Sequence, residues 1–209
     1  MPRYDDGTEY LSYYASLVSK KAEELNIEKK DSEGKEVTVG NVSKFIKKKN
    51  PNLIFVNGHG DANYLEGDKG EILFSTDKNI ALLRDKIVYA RACHAGLTFG
   101  KKMVENNDGC FIGYSTPFSF WIDERRSAVP AKDKTAALFL EPSNEIMFSL
   151  LKGNTTSVAN EKSKKKMTDN MNKVLKMQDK KEPGAMGWLD ILWNNFEGQV
   201  IHGNSGASF

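Results

Sequence analysis

Hydrophobic and polar residues follow two patterns along the chain, one typical of buried strands and one typical of amphipathic helices. Three short apolar runs, at 53–56, 86–90 and 110–114, are bounded by glycine or polar residues, as in strands buried on both faces. Apolar residues recur at three- and four-residue spacing over 7–27, 41–50, 97–105, 135–151, 155–181 and 186–196. This alternation predicts an α/β fold with a mostly parallel sheet and helices on both faces.

Weaker patterns lie between these segments. "EVTVGN" at 36–41 predicts a short strand or an extended lead-in to a helix capped by Asn41, and "QVIHG" at 199–203 predicts an edge strand. The polar segment 122–134 contains proline and predicts an exposed loop that is a candidate for regulation. No apolar strand precedes the first helix, so either that strand is absent or Met1 is not the natural start.

Length and composition indicate one domain spanning residues 1–209, with a motif-bearing core at about 40–150 and a helical C-terminal part at about 135–196. Hydrophobic content is 39%, and no apolar run approaches the roughly 18 residues that cross a bilayer. The first ten residues lack the apolar stretch of a signal peptide, and two cysteines make no disulfide framework. We therefore expect a cytoplasmic protein without a membrane partner.

The positive charge is concentrated in one segment. The net charge is +2, but residues 152–182 contain nine lysines against four acidic residues. Apolar Met167, Met171, Val174 and Leu175 follow helical spacing there, which indicates a helix with one docked face and lysines in solvent. Because this segment has neither arginine nor aromatic residues, a nucleic-acid partner is not expected.

Two strand ends carry candidate chemistry. In "VNGHGDAN" His59 follows the first apolar strand by about three residues, and in "ARACHAG" Cys93 follows the second by a similar distance. The carboxyl ends of neighbouring parallel strands form a shared crevice, so the imidazole and the thiol are expected to meet there. Cys93 also precedes a predicted helix, whose N-terminus would favour a thiolate. A thiol nucleophile, an imidazole and glycine-rich turns are suited to acyl transfer.

This pair of motifs resembles the caspase-like (clan CD) cysteine peptidases over residues 40 to 150. The resemblance is nearest to the gingipain, clostripain, metacaspase and CHAT-like branches, because the His-to-Cys spacing is 34 residues and the Gln-Ala-Cys of true caspases is absent. It implies a caspase-haemoglobinase three-layer sandwich without metal or cofactor. It also implies His59 as general acid/base, Cys93 as nucleophile, and the amides of Gly60 and Cys93 as the oxyanion hole.

The implied activity is that of a regulated signalling or defence endopeptidase, with a protein or peptide substrate and a regulatory protein partner. Arg91 stands two residues before Cys93, where metacaspases and clostripain have an Asp that lines the S1 pocket. Arg91 would favour an acidic P1 residue. Alternatively Arg91 bridges to Asp123 or Glu124 and leaves the pocket neutral or acidic, so acidic, basic and other P1 residues stay open.

Other interpretations of the same residues remain. The chain is alternatively a catalytically silent caspase-like domain that binds a protein partner, although such a module needs neither His59 nor Cys93. A phosphate-binding loop in "NGHGDAN" lacks both nucleotide-binding glycine patterns. A metal site from His59, Asp61, Cys93 and His94 has no recognised ligand spacing. Asp61 is a candidate to orient His59, and the remaining candidates, Cys110, His94 and His202, are expected to be a core thiol, a wall residue and a structural residue.

Overall fold

The computed structural model describes residues 6–126 and 128–209, in which helices and strands are interspersed along the chain. Their order is α1 (Asp6–Glu24), α2 (Val39–Lys49), β1 (Leu53–Asn57), β2 (Gly60–Asp61), β3 (Tyr64–Glu66), β4 (Ile72–Ser75), β5 (Ile87–Arg91), α3 (Phe99–Met103), β6 (Cys110–Tyr114), α4 (Lys134–Leu150), α5 (Thr156–Asp179), α6 (Ala185–Gly198) and β7 (Gln199–Gly203). Short 3₁₀ turns occupy several of the connections.

The central sheet has four strands in the order β1-β5-β6-β7. β1, β5 and β6 are parallel, and β7 runs antiparallel to β6 at one edge. Every residue of β5 and β6 is buried, as their continuous apolar sequences predict. The prediction of a mostly parallel sheet with an edge strand at 199–203 is confirmed.

Side chains on the two faces of the sheet enter two different cores. On β5, Ile87 and Tyr89 pack with α1 and α4, whereas Val88 and Ala90 pack with α2, α3 and a small second sheet. This alternation follows from the two-residue period of a strand. Helices therefore lie on both faces, and the α/β layering predicted from the sequence is confirmed.

The lysine-rich segment forms α5, and it packs on α4 and α6. Met167, Met171 and Val174 are buried, while Leu175 is 44% exposed. Met171 and Val174 share a small third core with Leu138 and Leu192 of the neighbouring helices. The prediction of a helix with one docked face is confirmed, although that face is narrower than predicted. No helix in residues 6–126 and 128–209 is long and apolar enough to cross a membrane.

Three local predictions need correction. Residues 36–41 form no strand, because the backbone turns at Gly34–Glu36 and α2 then begins at Val39. Thr38 rather than Asn41 caps α2, since the Thr38 side chain accepts a hydrogen bond from the Asn41 N–H. The helix predicted at 97–105 is limited to Phe99–Met103.

A three-stranded antiparallel sheet, β2-β3-β4, was not predicted. Its strands are two to four residues long, too short to show an alternating pattern. This sheet extends from the end of β1, so it directs the chain after His59 into a hairpin.

Candidate active site

The strand register brings His59 and Cys93 to equivalent positions. β1 and β5 pair in parallel, with Asn57 opposite Arg91 at the carboxyl end of both strands. His59 lies two residues beyond Asn57, and Cys93 lies two residues beyond Arg91. Both residues therefore stand at the same edge of the sheet on adjacent strands, where parallel sheets gather their functional groups.

Three contacts join the loops that carry these residues. The Gly58 N–H donates to the Arg91 carbonyl at 3.2 Å, which extends the strand pairing by one residue. Gly60 packs so closely on Ala92 that a Cβ built on Gly60 would lie 3.1 Å from the Ala92 Cβ. Further on, the Phe99 N–H donates to the Ala62 carbonyl at 2.7 Å. The two loops therefore form one structural unit.

The His59 loop begins with a backbone geometry that favours glycine. Gly58 has a φ of 152°, and His59, which follows it, is exposed. The His59 carbonyl accepts a hydrogen bond from the Glu66 N–H at 3.1 Å, at the base of the hairpin. Hydrogen-bonded and non-hydrogen-bonded residue pairs alternate along an antiparallel ladder. Because His59 bonds to Glu66, the next pair, Gly60 and Leu65, is non-hydrogen-bonded, and the Gly60 N–H is directed away from β3. This orientation is compatible with an oxyanion donor.

The Cys93 thiol is partly buried beneath the loop after β6. Its Sγ lies 3.9 Å from the Phe118 carbonyl oxygen, which accepts the thiol hydrogen bond. Burial raises the pKa of Cys93, and the nearby negative charge of Asp61 adds to this rise. The thiol is therefore protonated at neutral pH in this conformation. The expectation of a helix-stabilised thiolate is wrong, because α3 begins only at Phe99 and spans five residues.

The backbone after Cys93 turns sharply. His94 has a φ of 58°, a left-handed conformation that costs free energy for a residue with a side chain. Its N–H donates to the Thr116 carbonyl at 3.2 Å, and its Nδ1 lies 3.3 Å from the Ser115 carbonyl. His94 thus joins the Cys93 loop to the loop after β6, and its place in the wall of a substrate pocket stays a prediction. The Cys93 N–H itself has no acceptor among residues 6–126 and 128–209.

Gly96 and His202 complete this turn. A Cβ on Gly96 would lie 2.4 Å from Val200 Cγ2 and 3.0 Å from the Tyr114 carbonyl carbon, so only glycine fits. The His202 Nε2 lies 2.7 Å from the Gly96 carbonyl, which makes it the donor of that hydrogen bond. His202, expected to be structural, therefore supports the Cys93 loop from β7.

Arg91 does not take the role predicted for it. Its side chain is 0% exposed, and its guanidinium donates to Asn57 at 2.6 Å, to Asn144 at 2.9 Å and to the Leu11 carbonyl at 3.3 Å. It also stacks over the Phe55 ring, 5.2 Å from the ring centroid. The side chain shares the sheet face of Tyr89, toward α1 and α4, so it is enclosed by the protein. The prediction that Arg91 binds an acidic substrate side chain is corrected accordingly.

Asp123 does not bridge to Arg91 either. Its carboxylate receives hydrogen bonds from Arg125 Nε at 2.9 Å and from Arg125 NH2 at 3.1 Å, and this contact lowers the pKa of Asp123. The Asp123 N–H donates to buried Asp133, which also receives the N–H groups of Thr135 and Ala136. The described residues of this segment, 122–126 and 128–134, are mainly exposed, as predicted, and the segment is anchored at Asp133.

The loop above Cys93 is anchored by α6, a contact that no sequence pattern predicted. In α6, the Asn195 side chain pairs with both backbone groups of Ser119, and Asn194 donates to the Pro117 carbonyl at 2.8 Å. Ser115 donates its N–H to the Gly198 carbonyl at 2.8 Å. The sequence feature that could have indicated this anchor is the pair of consecutive asparagines near the end of the last helix. These bonds hold the Phe118 carbonyl over the thiol.

The aromatic residues after β6 divide between core and surface. Tyr114 and Phe118 are buried and pack on each other with ring centroids 4.6 Å apart, while Trp121 is 53% exposed. Of these three residues, Phe118 is the one whose backbone carbonyl accepts the thiol hydrogen bond. In the described part of the chain, no three His, Cys, Asp or Glu side chains are grouped to hold a metal ion. Neither a protein family model nor a curated protein matches this chain.

Proposed function

We propose that this protein is a cysteine endopeptidase of the caspase-like type, with His59 and Cys93 as a catalytic dyad. The observation that carries the proposal is the strand register, which sets both residues two positions beyond paired ends of adjacent parallel strands. The joined loops and the partly exposed thiol agree with it. The central sheet with helices on both faces is compatible with the caspase-haemoglobinase sandwich.

The chemistry follows from the protonated resting thiol. When a peptide enters, His59 takes the thiol proton, and the Cys93 sulfur attacks the scissile carbonyl carbon. The N–H groups of Gly60 and Cys93 stabilise the oxyanion of the tetrahedral intermediate. His59 then protonates the leaving amine, which leaves a thioester on Cys93. Water, activated by His59, hydrolyses the thioester and restores the thiol.

Side-chain recognition in this proposal depends on acidic residues rather than on Arg91. The Asp61 carboxylate is close enough to Cys93 to raise the pKa of its thiol. A negative charge beside the nucleophile favours a cationic side chain in the adjoining subsite. We therefore expect cleavage after Arg or Lys in preference to Asp or Glu. Asp123, already paired with Arg125, is assigned a weaker part in substrate binding.

The proposed enzyme acts on proteins or peptides and is regulated. Burial beneath the loop after β6 keeps the Cys93 thiol protonated, so movement of that loop would expose the thiol and favour the thiolate. Segment 122–134 continues this loop, and its described residues 122–126 and 128–132 are mainly exposed to a regulatory partner or to cleavage. These features fit a signalling or defence protease that is latent at rest.

The test is cleavage of a denatured-protein mixture and of a peptide panel with Asp, Glu, Arg, Lys or Leu at P1. Wild type should cleave, with Arg and Lys preferred, and Cys93→Ala and His59→Ala should lose at least about a hundredfold in rate. Cys110→Ala is the matched control, because it removes the other thiol from the core. Equal cleavage by wild type and Cys93→Ala would contradict the proposal. A Cys93 thiol that is inert in all assays would favour a protein-binding domain.

A further inference from the structure

A deep groove runs along the outer side of β1, separate from the His59–Cys93 site. It is a cavity of about 550 Å³ that follows the full length of the strand. One wall is formed by Ala15, Val18 and Ala22 of α1, and the opposite wall by Val42, Phe45 and Ile46 of α2. The groove is therefore bounded on both faces of the sheet by apolar helix surface.

The floor of the groove is a free strand edge. β1 is the terminal strand of the sheet and pairs only with β5 among the described strands. The Asn52 carbonyl and the Gly58 N–H both form hydrogen bonds with β5. Because the backbone groups of successive residues in a strand point to opposite sides, the even-numbered residues between 52 and 58 direct their N–H and C=O groups toward β5. Leu53 and Phe55 therefore direct their N–H and C=O groups into the groove, and no described residue outside the β1–β5 pair bonds to them.

The side chains of β1 are also incompletely covered by the rest of the protein. Leu53, Ile54 and Phe55 are all partly exposed, although they alternate between the two faces of the sheet. In β5, the neighbouring strand, all five residues are buried. A strand paired to the free edge of β1 would lie about 4.8 Å away, close enough for its side chains to cover those of β1 on both faces. The partial exposure of β1 is therefore expected when that neighbouring strand is missing.

Charge at the rim indicates what kind of strand fits. Lys29 is paired with Asp31 and Glu23, and Lys49 is paired with Glu28 at 3.2 Å. Lys30 is also paired, with Glu36 at 3.5 Å, so most of the charges that line the groove, apart from Glu66, are already neutralised, and its walls are apolar. An uncharged occupant complements this surface better than a charged one. A second copy of the chain does not fit edge to edge, because its own β1 is recessed between α1 and α2.

We propose that the groove binds an extended, uncharged polypeptide strand from a partner protein, which adds to the edge of β1. Backbone hydrogen bonds to Leu53 and Phe55 would supply affinity, and apolar side chains pointing alternately toward α1 and α2 would supply specificity. Unpaired strand edges are common acceptors for such strand addition. This binding is independent of the chemistry at Cys93.

The experiment uses the full chain and a fluorescein-labelled peptide with a central Val-Thr-Val-Ile-Val run as the probe. Fluorescence anisotropy should show saturable binding. The same peptide N-methylated at alternate amides, which removes the donors on its pairing edge, should bind at least about tenfold more weakly. Amide hydrogen exchange of Leu53 and Phe55 should slow on binding, whereas that of Ile54 and Val56 is already slow because they bond to β5.

Two variants of α2 distinguish specific binding in the groove from non-specific binding of the probe. Val42→Lys places a charge in the wall and should weaken probe binding at least about tenfold. Val39→Lys changes a partly exposed valine of the same helix that does not line the groove, so it should bind as wild type does. Absence of saturable binding, equal binding of the N-methylated probe, equal effects of the two variants, or unchanged exchange at Leu53 and Phe55 would each overturn the proposal.

Discussion

The two cysteines of this protein occupy opposite ends of neighbouring strands in one sheet. Cys110 begins β6, is 0% exposed and lies in the core with Ile87 and Tyr89. Cys93 follows the carboxyl end of β5 and is partly exposed. Burial raises the pKa of both thiols. The two thiols therefore differ in their position and in their access to solvent, and both are protonated at neutral pH.

This difference separates a thiol that fills space from one that can meet a substrate. Cys110 lies among apolar core side chains and beside the Thr156 side chain, whereas around Cys93 the neighbours are backbone groups, a carboxylate and the His59 loop. Backbone N–H and C=O groups at a strand end can bind a peptide, while a packed core cannot. The carboxyl edge of the sheet thus provides the surroundings that the proposed dyad requires.

The largest expected effect is on alkylation of the native protein. Iodoacetamide should modify Cys93 about a thousandfold or more faster than Cys110, since Cys110 becomes accessible only when the core opens. The reacting species is the thiolate, so a raised pKa makes the Cys93 rate low at neutral pH. The rate should climb with pH as the thiol ionises. Peptide mapping by mass spectrometry after timed quenching measures both rates.

Comparable alkylation rates for the two thiols in the native protein would remove the distinction between them. A denatured sample is the control, because both cysteines should then react at similar rates. A Cys93 rate that is independent of pH between 6 and 8 would contradict the raised pKa.

A second test changes the turn that follows Cys93. Gly96→Ala places a methyl group against Val200 and Tyr114, which should destabilise the protein by about 1–3 kcal/mol and abolish cleavage. Gly40→Ala is the control, because a Cβ at that exposed position in α2 meets nothing within 4 Å. Thermal unfolding and peptide cleavage measure the two effects. If Gly96→Ala keeps full activity, the shape of this turn does not matter for the site.

The smallest expected effect concerns Asp61. Its carboxylate raises the pKa of Cys93, so Asp61→Asn should lower that pKa and increase alkylation at neutral pH by about two- to threefold. The asparagine oxygen can still accept the Ala62 N–H that Asp61 accepts now. The same change should reduce the preference for Arg and Lys at P1.

Asp68→Asn provides the matched control, since Asp68 does not affect the pKa of Cys93. An equal rise in alkylation for both variants would show an effect of overall charge. A lower rate in Asp61→Asn would mean that Asp61 supports the thiolate indirectly.

The main features of the fold were predictable from the sequence because each has a strong local signal. Continuous apolar runs identified β1, β5 and β6, and helical spacing identified α1, α4, α5 and α6. The strands of the second sheet are too short to show a period. Thr38 could have been recognised as a helix cap, but the β-branched residues around it favoured a strand.

The candidate site was predictable where it depends on strand ends and was not where it depends on tertiary contacts. The sequence indicated that His59 and Cys93 share an edge of the sheet, but it could not show which face Arg91 takes. That face is covered by α4, whose Asn144 binds the guanidinium from a position 53 residues away in the chain. The Phe118 carbonyl and its asparagine anchors are likewise long-range features.

The most direct test of the dyad is covalent labelling by a peptidyl acyloxymethyl ketone, followed by intact-mass and peptide mass spectrometry. We expect a single thioether on Cys93 in wild type, formed at least about a hundredfold faster than in His59→Ala. His94→Ala, which changes the neighbouring imidazole, should retain most of the wild-type rate. Labelling of Cys93 at the same rate in wild type and His59→Ala would contradict the central claim, because His59 would then have no part in activating the thiol.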